Sequence, residues 1–256
     1  MDFQNIIFEK IKQNVGILMI NRPESLNSLN IKTLQEVDTC LDYYGTDLRF
    51  LLIKGSGTKA FIAGADIKEM NSLSENDFCD FLKLGQSITL KIEAGNFMSI
   101  ANVNGYALGG GFEIALACDF IFASENARFG FPEVKLGIIP GFGGNVRISR
   151  RVGLHIAKEL VLSGRIFDSN QAKTFGFING IISSEKMEQE VFSFIEQLSE
   201  NSFHAMLTAK SLHNRLFYSD INLLLKDELM NCSQCFNAKD RTEGMNAFIE
   251  KRKPNF

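Results

Sequence analysis

Three consecutive glycines, Gly109-Gly-Gly111, open a segment over 109–117 whose other residues, Phe112, Ile114, Ala115 and Leu116 among them, are apolar almost all round a helix. Glycine loses more freedom than any other residue when ordered at a helix start, so something must require the absence of side chains there. Two readings satisfy that requirement. Either a ligand comes against the backbone, with the unpaired N–H groups of the first turn aimed at an anion, or the helix packs tightly on a strand. A dinucleotide-binding fold is excluded, because it needs G-x-G-x-x-G after the first strand and an acidic residue ending the next, and the chain has neither.

Around this element the pattern alternates. Ile6–Ile11 and Val15–Ile20 read as short strands about a polar Lys12-Gln-Asn turn. Asn30 is placed to cap a helix carrying Ile31, Leu34, Val37 and Leu41 at helical spacing. Phe50–Ile53 is a continuous apolar strand, 75–94 a helix with Phe78, Phe81, Leu82, Ile88 and Ile92 on its apolar face, and Met98–Val103 and Phe120–Ala123 further strands. Strands alternating with helices predict an α/β arrangement with strands buried on more than one face. After Ile182 the strand signals stop, and 185–199, 202–217, 220–236 and 240–250 read as helices, Asp240 standing where it would cap the last. Helices of this kind commonly bury an apolar face against another subunit.

Composition removes several classes of function. Of 256 residues 45% are hydrophobic, enough for a sizeable core, and no apolar run approaches the ~20 residues needed to cross a bilayer. The N-terminus shows no basic region leading into an apolar stretch, so no secretory signal is expected. Net charge is −3 with both signs interspersed; no basic and aromatic residues interleave as a nucleic-acid surface requires. Five cysteines, at 40, 79, 118, 232 and 235, form no disulfide framework and fit a reducing cytoplasm. Cys232-Ser-Gln-Cys235 lacks the second pair or the histidine that would complete a metal site, and the expectation is no metal.

The residues that carry chemistry are two carboxylates and two glycine- and alanine-rich loops. Glu113 sits among Phe112, Ile114, Ala115 and Leu116, which predicts a buried carboxylate rather than a solvated one. Glu133 follows Pro132 and precedes Val134, equally unlike a charged surface loop. In Ala63-Gly-Ala65-Asp66-Ile67-Lys68 small side chains again let a backbone N–H face a ligand, and Asp66 is placed to cap the next turn. Paired with Gly109–Gly111, that loop would make a two-donor oxyanion hole. The histidines, His155, His204 and His213, form no metal spacing; no G-x-S-x-G elbow exists; and Gly141-Phe-Gly-Gly144 lacks the Lys-Ser/Thr of a P-loop and reads as a helix start after Pro140.

Taken in order, these stretches resemble the crotonase (enoyl-CoA hydratase/isomerase) superfamily nearly end to end. Ile20-Asn-Arg-Pro23, Leu26-Asn-Ser-Leu29, Ala60–Met70, Asn104–Gly111, Cys118-Asp119, Ala127–Gly130, Pro132-Glu133 and Gly137–Gly144 follow its pattern, and Glu243–Lys253 is most similar to the short-chain enoyl-CoA hydratases. The resemblance implies a spiral of ββα turns over 1–200 and a helical oligomerisation region over 201–256, forming a homotrimer or a hexamer of two trimers. It implies that Ala65 and Gly110 supply the oxyanion N–H groups and that Glu113 and Glu133 hold and activate water; Glu113 as base and Glu133 as acid is the leading assignment, with a concerted transfer through both left open. Leu26, Ala63, Ala65, Asp66, Ile67, Lys68, Gly109, Gly110 and Pro132 would line the coenzyme A thioester, joined by Phe248 and Lys251 from a neighbouring subunit.

The implied activity is reversible hydration of a trans-2-enoyl-CoA in the cytoplasm, with no cofactor besides the thioester substrate and no nucleic-acid or membrane partner. Alternatives on the same fold are double-bond isomerisation of an enoyl-CoA and a non-catalytic acyl-CoA- or RNA-binding role. Four positions depart from the family pattern. Phe131 stands where hydratases usually carry Gln; in an extended pre-proline segment its ring would point the same way as Glu133 and border that carboxylate. Met98 replaces a usual Pro, and Asn102 and Asn145 replace small or hydroxyl residues, as scaffold variation.

Overall fold

The computed structural model describes residues 2–11, 14–216 and 220–256. Lys12 and Gln13 of the expected polar turn lie outside the described residues, as does Phe217 at the expected end of a helix. The chain divides into two compact units, Met1–Gln189 and Glu190–Phe256. The division falls within the helix Met187–Ser199, ahead of the boundary at 200 read from the sequence.

The first unit is built on two sheets. Six strands, β1 (Ile6–Ile11), β2 (Val15–Ile20), β3 (Phe50–Gly55), β5 (Met98–Val103), β7 (Phe120–Ser124) and β10 (Gly180–Ile182), lie in the order β1-β2-β3-β5-β7-β10. All neighbours are parallel except β1 and β2. Every residue of β5 is buried, as are all of β3 except Lys54, as strands covered on both faces require. The second sheet, β4 (Ala60–Ile62), β6 (Tyr106–Leu108), β8 (Arg128–Gly130) and β9 (Ile166–Asp168), runs in that order, with β4, β6 and β8 parallel. Each is three residues long, too short to show a period of two, and none of the four is visible as a strand in the sequence.

The chain alternates between the sheets. It leaves β3 for β4 and then the helices α2 (Ile67–Met70) and α3 (Glu75–Ala94); β5 for β6 and α4 (Gly110–Ala117); β7 for β8 and α5 (Gly144–Ser163), after which α6 (Ser169–Phe175) follows β9 and α7 (Met187–Ser199) follows β10. The first three are successive ββα turns of a spiral. Asn30 caps α1 (Ile31–Tyr44) by accepting from the Thr33 N–H at 2.8 Å, and Ser74 caps α3. All eight residues of α4 are buried. Its Phe112 is the hub of an aromatic cluster, with ring centroids 4.7 Å from Phe131, 5.3 Å from Phe129 and 5.2 Å from Phe177. Core rings on α4, β8 and the loop before β10 thus hold the short helix that carries Glu113.

The second unit contains α8 (Phe203–Arg215), α9 (Ile221–Asn237) and α10 (Lys239–Ile249). Asp240 is not the cap of the last helix: the cap position belongs to Ala238, and the Asp240 carboxylate accepts from the Ser202 hydroxyl at 2.6 Å instead. Leu229, Phe236, Phe248 and Ile249 are exposed on α9 and α10. All five cysteines are free, and among the described residues no group of His, Cys, Asp or Glu could hold a metal ion. No helix among them is long and apolar enough to cross a membrane.

Candidate active site

Three loops leave the carboxyl ends of three neighbouring parallel strands: 63–66 after β4, 109–110 after β6, and 131–133 after β8. They converge on one cavity of about 150 Å³ lined by Ala63, Ala65, Ile67, Gly109, Gly110, Glu113, Pro132 and Glu133. Phe81, Leu82, Ile138 and Phe142 add an apolar wall that the sequence reading had not gathered into a site.

The glycine triplet satisfies both readings at different positions. A Cβ on Gly111 would lie 2.1 Å from the Ile62 carbonyl oxygen, so this glycine serves helix-on-strand packing. Gly109 has φ +48, and a Cβ there would lie 2.6 Å from Glu133 Oε1, so this glycine lets backbone meet carboxylate. Gly110 follows as the first residue of α4. Across the cavity, Leu29 donates to Gly64 O and Asp66 donates to Leu29 O, both at 2.8 Å, which fixes Ala65 between them. Among the described residues neither the Ala65 nor the Gly110 N–H has a hydrogen-bond acceptor, and both residues line the cavity.

Glu113 is 2% exposed, and its Oε1 accepts from the Phe142 N–H at 2.8 Å and the Gly144 N–H at 2.6 Å. Neither bond occupies Oε2. Burial pushes its carboxyl up to about 7, with the Glu133 charge adding to the rise and the two amides and Arg147 opposing it. Burial likewise pushes Glu133 up to about 7, and its buried Oε2 has no hydrogen-bond partner. The amides brace the Glu113 anion, while the unpartnered Glu133 oxygen favours the protonated form.

Phe131 does not border the cavity beside Glu133. Its backbone (φ −116, ψ 82) leads straight into a 3₁₀ turn, Pro132–Leu136, so the extended alternation that would align the two side chains ends at the proline. The ring is fully buried against Phe112, and its edge and Glu113 Cγ both flank Gly144, where a Cβ would lie 2.7 and 2.8 Å from them. Phe131 therefore dries the surroundings of Glu113.

The remaining expected residues fall outside the cavity lining. Asp66 caps α2 and pairs with Arg22 at 3.1 Å; burial works to raise its carboxyl, but the Arg22 bond and charge and the Glu69 amide hold it below its ordinary value. Lys68 is exposed on α2. Leu26, also exposed, accepts from the Ala63 N–H through its carbonyl and has φ +54, followed by Asn27 at +58. Asn27 maintains that pair of left-handed residues: its Nδ2 donates to Ser56 O and Ala60 O at 2.9 Å, and its Oδ1 accepts from the Arg22 N–H at 3.0 Å. Phe248, 84% exposed, and Lys251 belong to the second unit.

Comparison with known proteins agrees along the whole chain. The profile of the enoyl-CoA hydratase/isomerase family matches residues 10–256. A crotonyl-CoA hydratase of Syntrophomonas wolfei is 40% identical over 258 residues, covering 100% of this chain and 99% of that one. A short-chain-enoyl-CoA hydratase of Clostridium acetobutylicum is 39% identical over 99% of this chain and 97% of its own. The crystal structure of an enoyl-CoA hydratase from Bacillus anthracis superposes with a TM-score of 0.94 at 33% identity, over 99% of each chain.

Proposed function

The chain belongs to the enoyl-CoA hydratase/isomerase family, and on that premise we propose that it catalyses the reversible addition of water to a trans-2-enoyl-CoA, giving the 3-hydroxyacyl-CoA. The observation that carries this reading is one cavity lined by a buried and a half-buried carboxyl, Glu113 and Glu133, both raised to about 7, and by two residues whose N–H groups have no acceptor. Groups of that kind exchange protons near neutral pH while a substrate oxygen gains charge.

In the hydration direction, the thioester carbonyl oxygen sits between the Ala65 and Gly110 N–H groups. Glu113, through the oxygen its amides leave open, takes a proton from water as the water oxygen bonds to the β-carbon. The electron pair of the double bond moves onto the thioester oxygen, and the two donors stabilise that enolate by roughly 3 kcal/mol each. The enolate collapses by taking the Glu133 proton at the α-carbon. Glu113 has then gained the proton Glu133 lost, and exchange with solvent restores the pair. No group beyond the thioester substrate enters these steps. A cavity of about 150 Å³ suits a short acyl chain, since such a volume holds a benzene-sized molecule.

Lys68, with Phe248 and Lys251 of a second copy, would contact the nucleotide end of coenzyme A, and Leu26, Asp66 and Ile67 would line the rest of the thioester. The exposed apolar side chains of α9 and α10 support assembly into a homotrimer, alone or paired as a hexamer. Purified protein mixed with crotonyl-CoA is expected to lose the absorbance of the conjugated double bond. No loss at any chain length would remove the hydratase reading. Turnover in oxygen-labelled water separates it from isomerisation, because only hydration leaves solvent oxygen on the β-carbon.

A further inference from the structure

Glu113 is held by backbone, and that backbone is held in turn. The peptide that donates the Phe142 N–H to Glu113 has the Gly141 carbonyl at its other end, and this oxygen accepts from Gln86 Nε2 at 2.8 Å. The peptide that donates the Gly144 N–H begins at the Gly143 carbonyl, which accepts from the Arg147 N–H at 3.0 Å. Between them the Phe142 carbonyl accepts from Arg147 Nη1 and from the Thr89 hydroxyl, both at 2.9 Å. Arg147 and Thr89 are 7% and 1% exposed, and neither lines the cavity.

Arg147 is fixed by its own partners. Its Nη2 and Nε meet Glu93 Oε2 at 2.7 and 3.1 Å, and its Nη1 also donates to Thr89 Oγ1 at 3.1 Å. There is no room for a side chain at Gly143, where a Cβ would fall 2.3 Å from Arg147 Nη1. α3 and α5 thus grip the turn 141–144 through a buried guanidinium and a buried hydroxyl. A carbonyl accepting two donors holds its peptide in place, and with it the two flanking peptides that donate to Glu113.

We propose that Arg147 and Thr89 are positioning residues for Glu113, acting through the backbone of Phe142 and never touching substrate. The inference rests on the reading that Glu113 takes the proton from water. Without the grip, the 141–144 turn is free to shift, the two amides leave Glu113 Oε1, and the carboxylate loses both its aim and the bonds that favour its anion. The charged groups facing Glu113 are Glu133 from the loop after β8 and Arg147 from α5, the latter neutralised by Glu93 of α3, which also meets Arg150 at 3.5 Å.

The test uses the full-length protein with Thr89→Val, Thr89→Ser and Arg147→Lys. Crotonyl-CoA hydration is followed against pH, and the Glu113 carboxyl is titrated by carbon-13 NMR, assigned with Glu113→Gln. Thr89→Val is expected to lower kcat by about 10-fold with KM within about 2-fold, a smaller loss than deleting a carboxyl. Its Glu113 titration and the acid limb of its pH profile should move upward together, and Thr89→Ser should restore both. Arg147→Lys keeps the charge but not the fork, and should show the same kcat loss. Folded Thr89→Val with an unchanged kcat and unchanged Glu113 titration overturns the proposal, as does a fall in Tm with no change in either. Should Arg147→Lys fail to fold, Thr89→Val, which alters no charge, decides. A wild-type protein that turns over no enoyl-CoA removes the hydratase reading, and the NMR titration still decides whether the grip acts on Glu113.

Discussion

The Phe131 ring lies 4.7 Å from that of Phe112, the residue immediately before Glu113. Position 131 therefore acts on the catalytic region from the core, through the helix that carries Glu113, and not from the cavity. Phe131→Gln would replace a fully buried ring of the aromatic cluster by an amide. A loss of about 3 kcal/mol is expected from the lost packing and the burial of a polar group together. Chemical denaturation reads this directly; a variant as stable as wild type would show that the ring has little to do with seating α4.

Glu113→Gln and Glu133→Gln retain shape and remove the ionisable group. Each should lower kcat by at least about 100-fold with little change in coenzyme A affinity. The double variant should be far less than multiplicatively worse, because two groups acting on one water function as a unit. If Glu133→Gln were nearly silent while Glu113→Gln was inactive, the two-carboxylate mechanism would be wrong.

Stability should depend on pH through the same carboxyl. Below its ordinary value of 4.5, Glu113 is protonated in folded and unfolded chains alike, and its contribution is fully present. As pH rises towards about 7 the unfolded chain releases a proton that the folded one retains, so stability falls; above about 7 the loss is complete. Glu113→Gln lacks this loss. Relative to wild type it should gain up to roughly 3 kcal/mol between pH 4 and pH 8 by denaturant unfolding. A constant difference across that range would mean that burial does not raise this group.

Activity against pH should be bell-shaped and centred near neutrality, since the proposed mechanism needs Glu113 ionised and Glu133 protonated. Measured kcat/KM for wild type and the two single glutamate variants checks this.

Asn27→Ala tests the loop that presents Ala63 and Leu26. It leaves the Ser56 and Ala60 carbonyls without their donor and removes the side chain that sustains a left-handed backbone. A cost of about 2–4 kcal/mol is expected. KM for crotonyl-CoA should rise more than kcat falls. Thermal unfolding and steady-state kinetics on one preparation give both numbers.

How legible the site was depended on where its chemistry is written. Glu113 was visible because a carboxylate between Phe112 and Ile114 in a wholly apolar helix has nowhere wet to go. β3 was visible as the continuous apolar run Phe50–Ile53, and β5 as a strand over Met98–Val103. The second sheet was not, because three-residue strands carry no period, and Gly130 and Asp168 suggest turns. The direction of Phe131 was misjudged because the 3₁₀ turn begins at Pro132, a change of backbone that the proline alone does not announce. The donors to Glu113 are main-chain amides of Phe142 and Gly144, which no side chain advertises. Arg147 and Thr89 lie 58 positions apart, and only the packing of α3 on the turn 141–144 brings them together.

The short strands have a consequence for what the cavity can select. β4 and β6 are adjacent in a parallel ladder, and Ala65 and Gly110 stand just beyond their ends. Ladder spacing is about 4.8 Å, and an N–H···O bond spans about 2.9 Å, so two donors at the tips of neighbouring strands can both reach one atom but cannot serve two atoms far apart. On the proposed mechanism the sheet acts as a ruler, sizing the gap for a single oxygen before any side chain is chosen. Loops can lengthen and acyl pockets can be rebuilt around it, and that gauge holds as long as Ala60 stays paired with Tyr106 and Ile62 with Ala107, across the register shift between them.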